Sequence, residues 1–99
     1  MSVCLLMNAA DKNTVGNDAV LRIIGSREPP SNMVVQIAIN GSAKVQIQGR
    51  IAKDAPWQDI GPQHGVSALF HIKAVQFLRA VASEVGAATK VSVWADWAW

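Results

Sequence analysis

Acid–base chemistry in this chain would have to begin with His64 and His71, its only two histidines and the only side chains that titrate near neutrality unaided. Ser67, His64 and Asp59 supply the residue types of a hydrolase triad, but no nucleophile-elbow sequence surrounds the serine. Asp54 and Asp59 flank Pro56-Trp57, an arrangement in which a glycosidase-like carboxylate pair around an aromatic can be imagined. The simpler reading has Asp54 supplying turn hydrogen bonds ahead of the proline. A metal site needs several His, Cys or carboxylate ligands at short spacing, and Cys4 with scattered aspartates does not provide them. No glycine loop of the phosphate-cradling type is present. The chain therefore reads as a non-enzyme with no metal, no cofactor and no small-molecule substrate.

Four tryptophans, Trp57, Trp94, Trp97 and Trp99, stand against no tyrosine at all. Tryptophans stack on sugar rings and anchor protein interfaces, although core packing of two or three is the default. Trp99, the last residue of the sequence, is the hardest to bury within one subunit and is the first candidate for an intersubunit contact.

Composition narrows the partners. Apolar residues make up 51% of the 99 and charged ones only 16%, against about a quarter charged in an ordinary globular chain. Part of the apolar surface is therefore expected to meet another chain. The net charge is +2, and the nine Lys and Arg residues are scattered from Lys12 to Lys90 with no basic run, so no nucleic-acid partner is expected. One cysteine allows no internal disulfide, which fits folding in a reducing compartment. The Val3–Met7 run is too short for a signal peptide, and no stretch approaches the roughly 20 apolar residues of a membrane span. The expectation is one soluble domain over 1–99, made in a cytoplasm, with a loop-rich N-terminal region over about 1–17.

The elements come from periodicity. Val35, Ile37 and Ile39, then Val45, Ile47 and Ile51, are spaced for one buried sheet face. Lys44, Gln46, Gln48 and Arg50 take the opposite, wet face. Asn40-Gly41-Ser42 resembles a two-residue hairpin turn, but that register pairs Ile37 with Lys44 and sets a charge beside the core. Paired residues share a face, so an odd-length loop or bulge is expected. The alternative is that the second strand crosses to another sheet. Val3–Met7, Asp18–Ile24, a Pro56–Ile60 edge segment and Val91–Trp99 read as strands. Asn8–Asp18, Gly25–Asn32 and Gly61–Gly65 read as loops. Val66–Val85 is ambiguous. Ala68, Ile72, Val75, Leu78, Ala82 and Val85 have helical spacing, with Ser67 as N-cap and Gly86 at C′, whereas Val75, Phe77, Arg79 and Val81 also alternate as a strand would.

Three pieces, in order, carry a resemblance. VQIQGRIAKDAPWQDIG resembles the strand, Gly-Arg, turn and Ala-Pro-Trp element of small bacteriophage virion proteins. IKAVQFLRAVASEV resembles the Arg-bearing strand that follows it there, and GAATKVSVWADW resembles their closing turn and strand. The likeness covers about the second two-thirds of the chain. It implies an all-β fold, a small antiparallel β-sandwich of jelly-roll type, with a short helix within 66–85 as the competing local reading. It places Gly49, Arg50, Pro56, Trp57, Arg79, Val93 and Trp94 at signature positions with structural roles: Pro-Trp closing one end of the sandwich, and Arg79 pairing with a carboxylate or a backbone carbonyl. The function it implies is a capsid decoration (cement) protein on the virion surface. Its partners would be a second and third copy of itself and the major capsid protein, with no membrane. The interface candidates are Trp57, Trp97 and Trp99 with Arg27, Pro29 and Pro30. Capsid contacts are expected from Asn8–Asn17 and Gly25–Asn32. The alternatives are a tail or head–tail joining protein, or a small carbohydrate-binding adsorption module.

Overall fold

The computed structural model describes residues 2–17, 19–20, 32–73 and 75–97, of which 2–4, 19–20, 32, 73 and 97 are described by backbone alone. Those residues form an all-β sandwich of two antiparallel sheets. Its strands are β1 (Ser2–Ala10), β2 (Thr14–Val15), β3 (Ala19–Val20), β4 (Asn32–Asn40), β5 (Lys44–Arg50), β6 (Gln58–His64), β7 (Ala68–Lys73), β8 (Phe77–Ser83) and β9 (Lys90–Trp97). One sheet runs β1-β9-β4-β7, and the other runs β2-β8-β5-β6 with β3 also on β8. The core lies between them. Val35 and Ile37 of β4 with Val91 and Val93 of β9 meet Val45 and Ile47 of β5 and Leu78 and Ala80 of β8, all buried.

The second of the two β4–β5 readings holds. β4 and β5 belong to different sheets, so their alternating apolar faces pack across the sandwich rather than side by side. The arch at 41–43 is fixed from β9's side of the core. Buried Thr89 accepts a hydrogen bond from Ser42 N at 3.0 Å through Oγ1, and Gly86 N donates to Ser42 O at 2.7 Å. Gly41 has φ +122, and a Cβ there would come under 3.0 Å from Thr89 atoms, so only glycine fits. Thr89→Val keeps the shape but removes the acceptor for Ser42 N–H. It is expected to cost about 1–3 kcal/mol, read as a lower urea midpoint at unchanged m-value.

Val66–Val85 contains strands rather than a helix. Burial alternates along β8, with Leu78, Ala80 and Ala82 inside and Phe77, Arg79 and Val81 half-buried outside. β8 pairs with β5 on one side and β2 and β3 on the other, and those ladder bonds override helical spacing. Ser67 is no N-cap: its Oγ accepts from Ile39 N at 3.0 Å, bridging to β4. Gly86 belongs to the β8–β9 turn.

Other boundaries shift too. β1 extends to Ala10, with register breaks after Leu5 and Met7. Gly61–Gly65, expected as a loop, is largely taken up by β6 as a bulged edge strand, with Gly61, Pro62 and Gln63 set between the Val45–His64 and Ile47–Ile60 pairs. The carbonyls freed there are met by Gln46 Nε2, which donates to Gly61 O at 3.1 Å and Ile60 O at 3.4 Å. Gln46 is thus buried instead of wet. Ile51, expected on the buried face, is 75% exposed because β5 ends at Arg50.

Candidate interaction surfaces

Two outward faces gather side chains that could meet a partner. The first lies on the β8-β5-β6 sheet. The β5–β8 register sets Gln48 opposite Arg79 and Arg50 opposite Phe77, and all four point away from the core. The 51–57 turn, in which Ala55 N donates to Ala52 O at 3.1 Å, returns Trp57 over them. Its ring lies 4.4 Å from the Arg50 guanidinium carbon and 4.3 Å from that of Arg79. Arg50 also covers Phe77 at 5.0 Å. Arg79 Nε donates to Gln48 Oε1 at 2.9 Å, Gln48 Nε2 donates to Asp59 Oδ1 at 3.0 Å, and Arg50 Nη1 donates to Lys53 O at 3.0 Å. Two like charges share one indole because its negative face attracts each of them, at about 0.5–2 kcal/mol apiece. The partner of Arg79 is therefore a glutamine and a ring instead of the expected carboxylate or carbonyl. Trp57 packs on the outer face of this sheet where β5 ends and β8 begins. Beneath the turn, Gly49, Pro56, Ile60 and Val75 help line a cavity of about 300 Å³. Gly49 lets Ile60 and Val75 close down on β5, since a Cβ there would lie 2.7 Å from Ile60 Cδ1 and 2.8 Å from Val75 Cγ2.

The second surface is the outer face of the β1-β9-β4-β7 sheet. Register aligns Leu5, Trp94, Gln36 and Leu69 in one row across the four strands, with Val34 beside it. Leu5 is 38% and Leu69 68% exposed. Val34, Gln36, Leu69, Trp94 and Asp96 line a concavity of about 470 Å³. This is an apolar outward face of the kind that a partner chain covers. Leu5 and Leu69 were not among the interface candidates. The usable signal was the alternation of Leu69 with Phe70 and Ile72, hidden by the helical spacing of the same segment.

Of the interface candidates, Trp57 lies in the Arg50–Arg79 stack, half-buried. Trp97 lies on β9 opposite Met33 of β4 and Ser2 of β1, with its backbone alone described. Trp99, Arg27, Pro29 and Pro30 lie outside the described residues, as does most of the Gly25–Asn32 loop. Within Asn8–Asn17, residues 8–10 belong to β1 and 14–15 to β2.

The residues of the imagined triad have separate attachments. Ser67 bonds to Ile39, Asp59 accepts from Gln48, and the His64 ring stacks on Phe70 with centroids 4.4 Å apart. Asp54 is exposed in the 51–57 turn, and Asp59 lies on β6. Among the described residues, no group of three or more His, Cys, Asp or Glu could hold a metal ion, and no helix is long and apolar enough to cross a membrane. No family model matches the chain, and neither a curated protein nor a solved structure is found to be similar to it.

Proposed function

We propose that this chain is a non-enzymatic structural protein of a bacteriophage virion, a capsid decoration protein that self-associates and binds the outer shell. The observation that carries the reading is the meeting of its signature residues. Arg50, Trp57 and Arg79 come from two separated motif pieces and converge on the outer face of one sheet around that single tryptophan, while Gly49 and Pro56 help line the cavity beneath the turn. A shared motif is expected to mark such a unit, in which each member depends on the others. The apolar row through Trp94 and Leu69 supplies a second surface of the kind an assembly needs.

The role would be mechanical. Area buried across the joints between coat subunits stabilises the assembled shell by mass action, because the bound protein favours only that state. The carbohydrate alternative is weakened at Trp57, whose ring already carries two guanidiniums.

The test is co-sedimentation of the purified protein with phage shells stripped of it. Saturable rebinding that raises the melting temperature of the shells is the expected result. Failure to rebind while the protein is folded would overturn the decoration role and favour the tail or adsorption apparatus.

A further inference from the structure

The sandwich has four sheet edges, and three of them are blunted. β1 carries two register breaks, β6 is bulged at Gly61-Pro62, and β2 and β3 are two-residue strands separated by Gly16–Asp18. Bulges, prolines and short strands are the devices by which proteins stop edge-to-edge pairing. β7 has none of these three, and its one lysine, Lys73, sits at the strand's end. Its six residues hold an unbroken register from Ile37–Ala68 to Asn32–Lys73 on β4, contain no Gly or Pro, and pair with no other strand among the described residues. Alternate backbone N–H and C=O groups of β7 therefore point outward from the sheet, ready to pair.

We propose that β7 is a self-association edge, where two copies pair antiparallel about a two-fold axis through Phe70 and merge two sheets into one. The register follows from parity and charge. Paired residues share a face, so a two-fold axis must pass through a residue. Centred on Phe70, the pairing sets Ala68 against Ile72 and Phe70 against itself, which continues the inner apolar row. Outside, it sets Leu69 against His71 and Lys73 against Ser67. Centred on His71 instead, it would set Lys73 against Leu69 on the outer face, so the Phe70 register keeps that charge away from an apolar side chain. The other edges cannot offer β7 a comparable unbroken strand, which selects a second β7 as occupant. Two six-residue edges with their flanking side chains bury on the order of 1,000 Å², the low end for a specific interface. The pair is accordingly reversible.

This deepens the assembly role proposed above by naming its surface, and its test needs no shells, so the two can fail separately. Sedimentation velocity of the full chain, from low-micromolar to near-millimolar concentration, is expected to show a monomer–dimer equilibrium. Backbone amides of Leu69 and His71, which point away from β4, should gain exchange protection as the dimer fills. Leu69→Lys puts an edge-blunting charge on a side chain that is already 68% exposed. It should weaken the dimer about tenfold or more while leaving the melting temperature of the monomer nearly unchanged. Ile51→Lys, equally exposed but on the β5–β6 turn, should leave the dimer intact. A monomer at every concentration, a trimer, or a dimer indifferent to Leu69→Lys would overturn the proposal.

Discussion

Gly16→Ala is expected to destabilise the fold by about 3 kcal/mol, lowering Tm by roughly 12–24 °C for a domain of this size. Gly16 and Asn17 lie between β2 and β3, where the chain leaves β8 to touch the other sheet. Gly16 N donates to Ala80 O and Asn17 N to Leu6 O, each at 2.8 Å, so this one bulge clasps β8 to β1. A Cβ on residue 16 would fall under 3.0 Å from the Leu6 carbonyl oxygen and 3.2 Å from that of Ala80. Both are backbone atoms, and neither can rotate aside as a side-chain tip would. The substitution must therefore either push the sheets apart or break one clasp bond. Gly65→Ala, with no atom within 4 Å of its Cβ, is the matched control and should change stability by less than about 0.5 kcal/mol. Thermal unfolding of both variants decides it, and equal Tm values would mean that the clasp is not formed.

Trp57→Ala is expected to cost about 2–4 kcal/mol, below the usual loss for a fully buried tryptophan because Trp57 is half-buried. Two guanidiniums lose their shared ring at once, and Arg50 and Arg79 are left closer to bare repulsion. Lost hydrophobic cover alone would give a similar number, so a double-mutant cycle with Arg79→Met separates the causes. A coupling of about 0.5–2 kcal/mol assigns the effect to the cation–ring contact. A coupling near zero would reduce the stack to a geometric coincidence.

The pattern of residues made the fold class readable, while the pairing of strands was harder to see. Period-two alternation at Val35–Ile39 and Val45–Ile47 identified the buried faces, because a half-buried strand must alternate. It could not say whether the two faces lie in one sheet or oppose each other, since both arrangements bury the same residues. Thr89 decides that, and its hydroxyl gives no local sequence signal. The 66–85 segment misled locally because Ala68, Ile72, Val75, Leu78 and Ala82 satisfy both periods well enough, and only pairing partners from distant strands choose between them. Gln46 shows the same limit at one residue. It read as wet from the alternation, yet a bulge on β6 created carbonyls for it to satisfy. The Trp57 stack was legible only as a motif, because Arg50 and Arg79 become neighbours through the β5–β8 register.

The crossing of the chain between sheets sets how it must fold. Of its described strands, only β5 and β6 are both consecutive and paired; every neighbour in the β1-β9-β4-β7 sheet is separated by other strands in sequence. Neither sheet offers a chain of hairpins that could form early and wait. β9 lies between β1 and β4 and supplies the only pairing of β1 among the described strands, so β1 cannot join the β4–β7 pair until β9 has been made and inserted. Loop-closure entropy must be overcome before those distant pairings contribute, which places this domain among slow, topology-limited folders on the millisecond-to-second scale. Until β9 is inserted, β1 and the β9-facing edge of β4 are open to neighbouring nascent chains, and high-level expression should favour aggregation over intermediates that can be isolated.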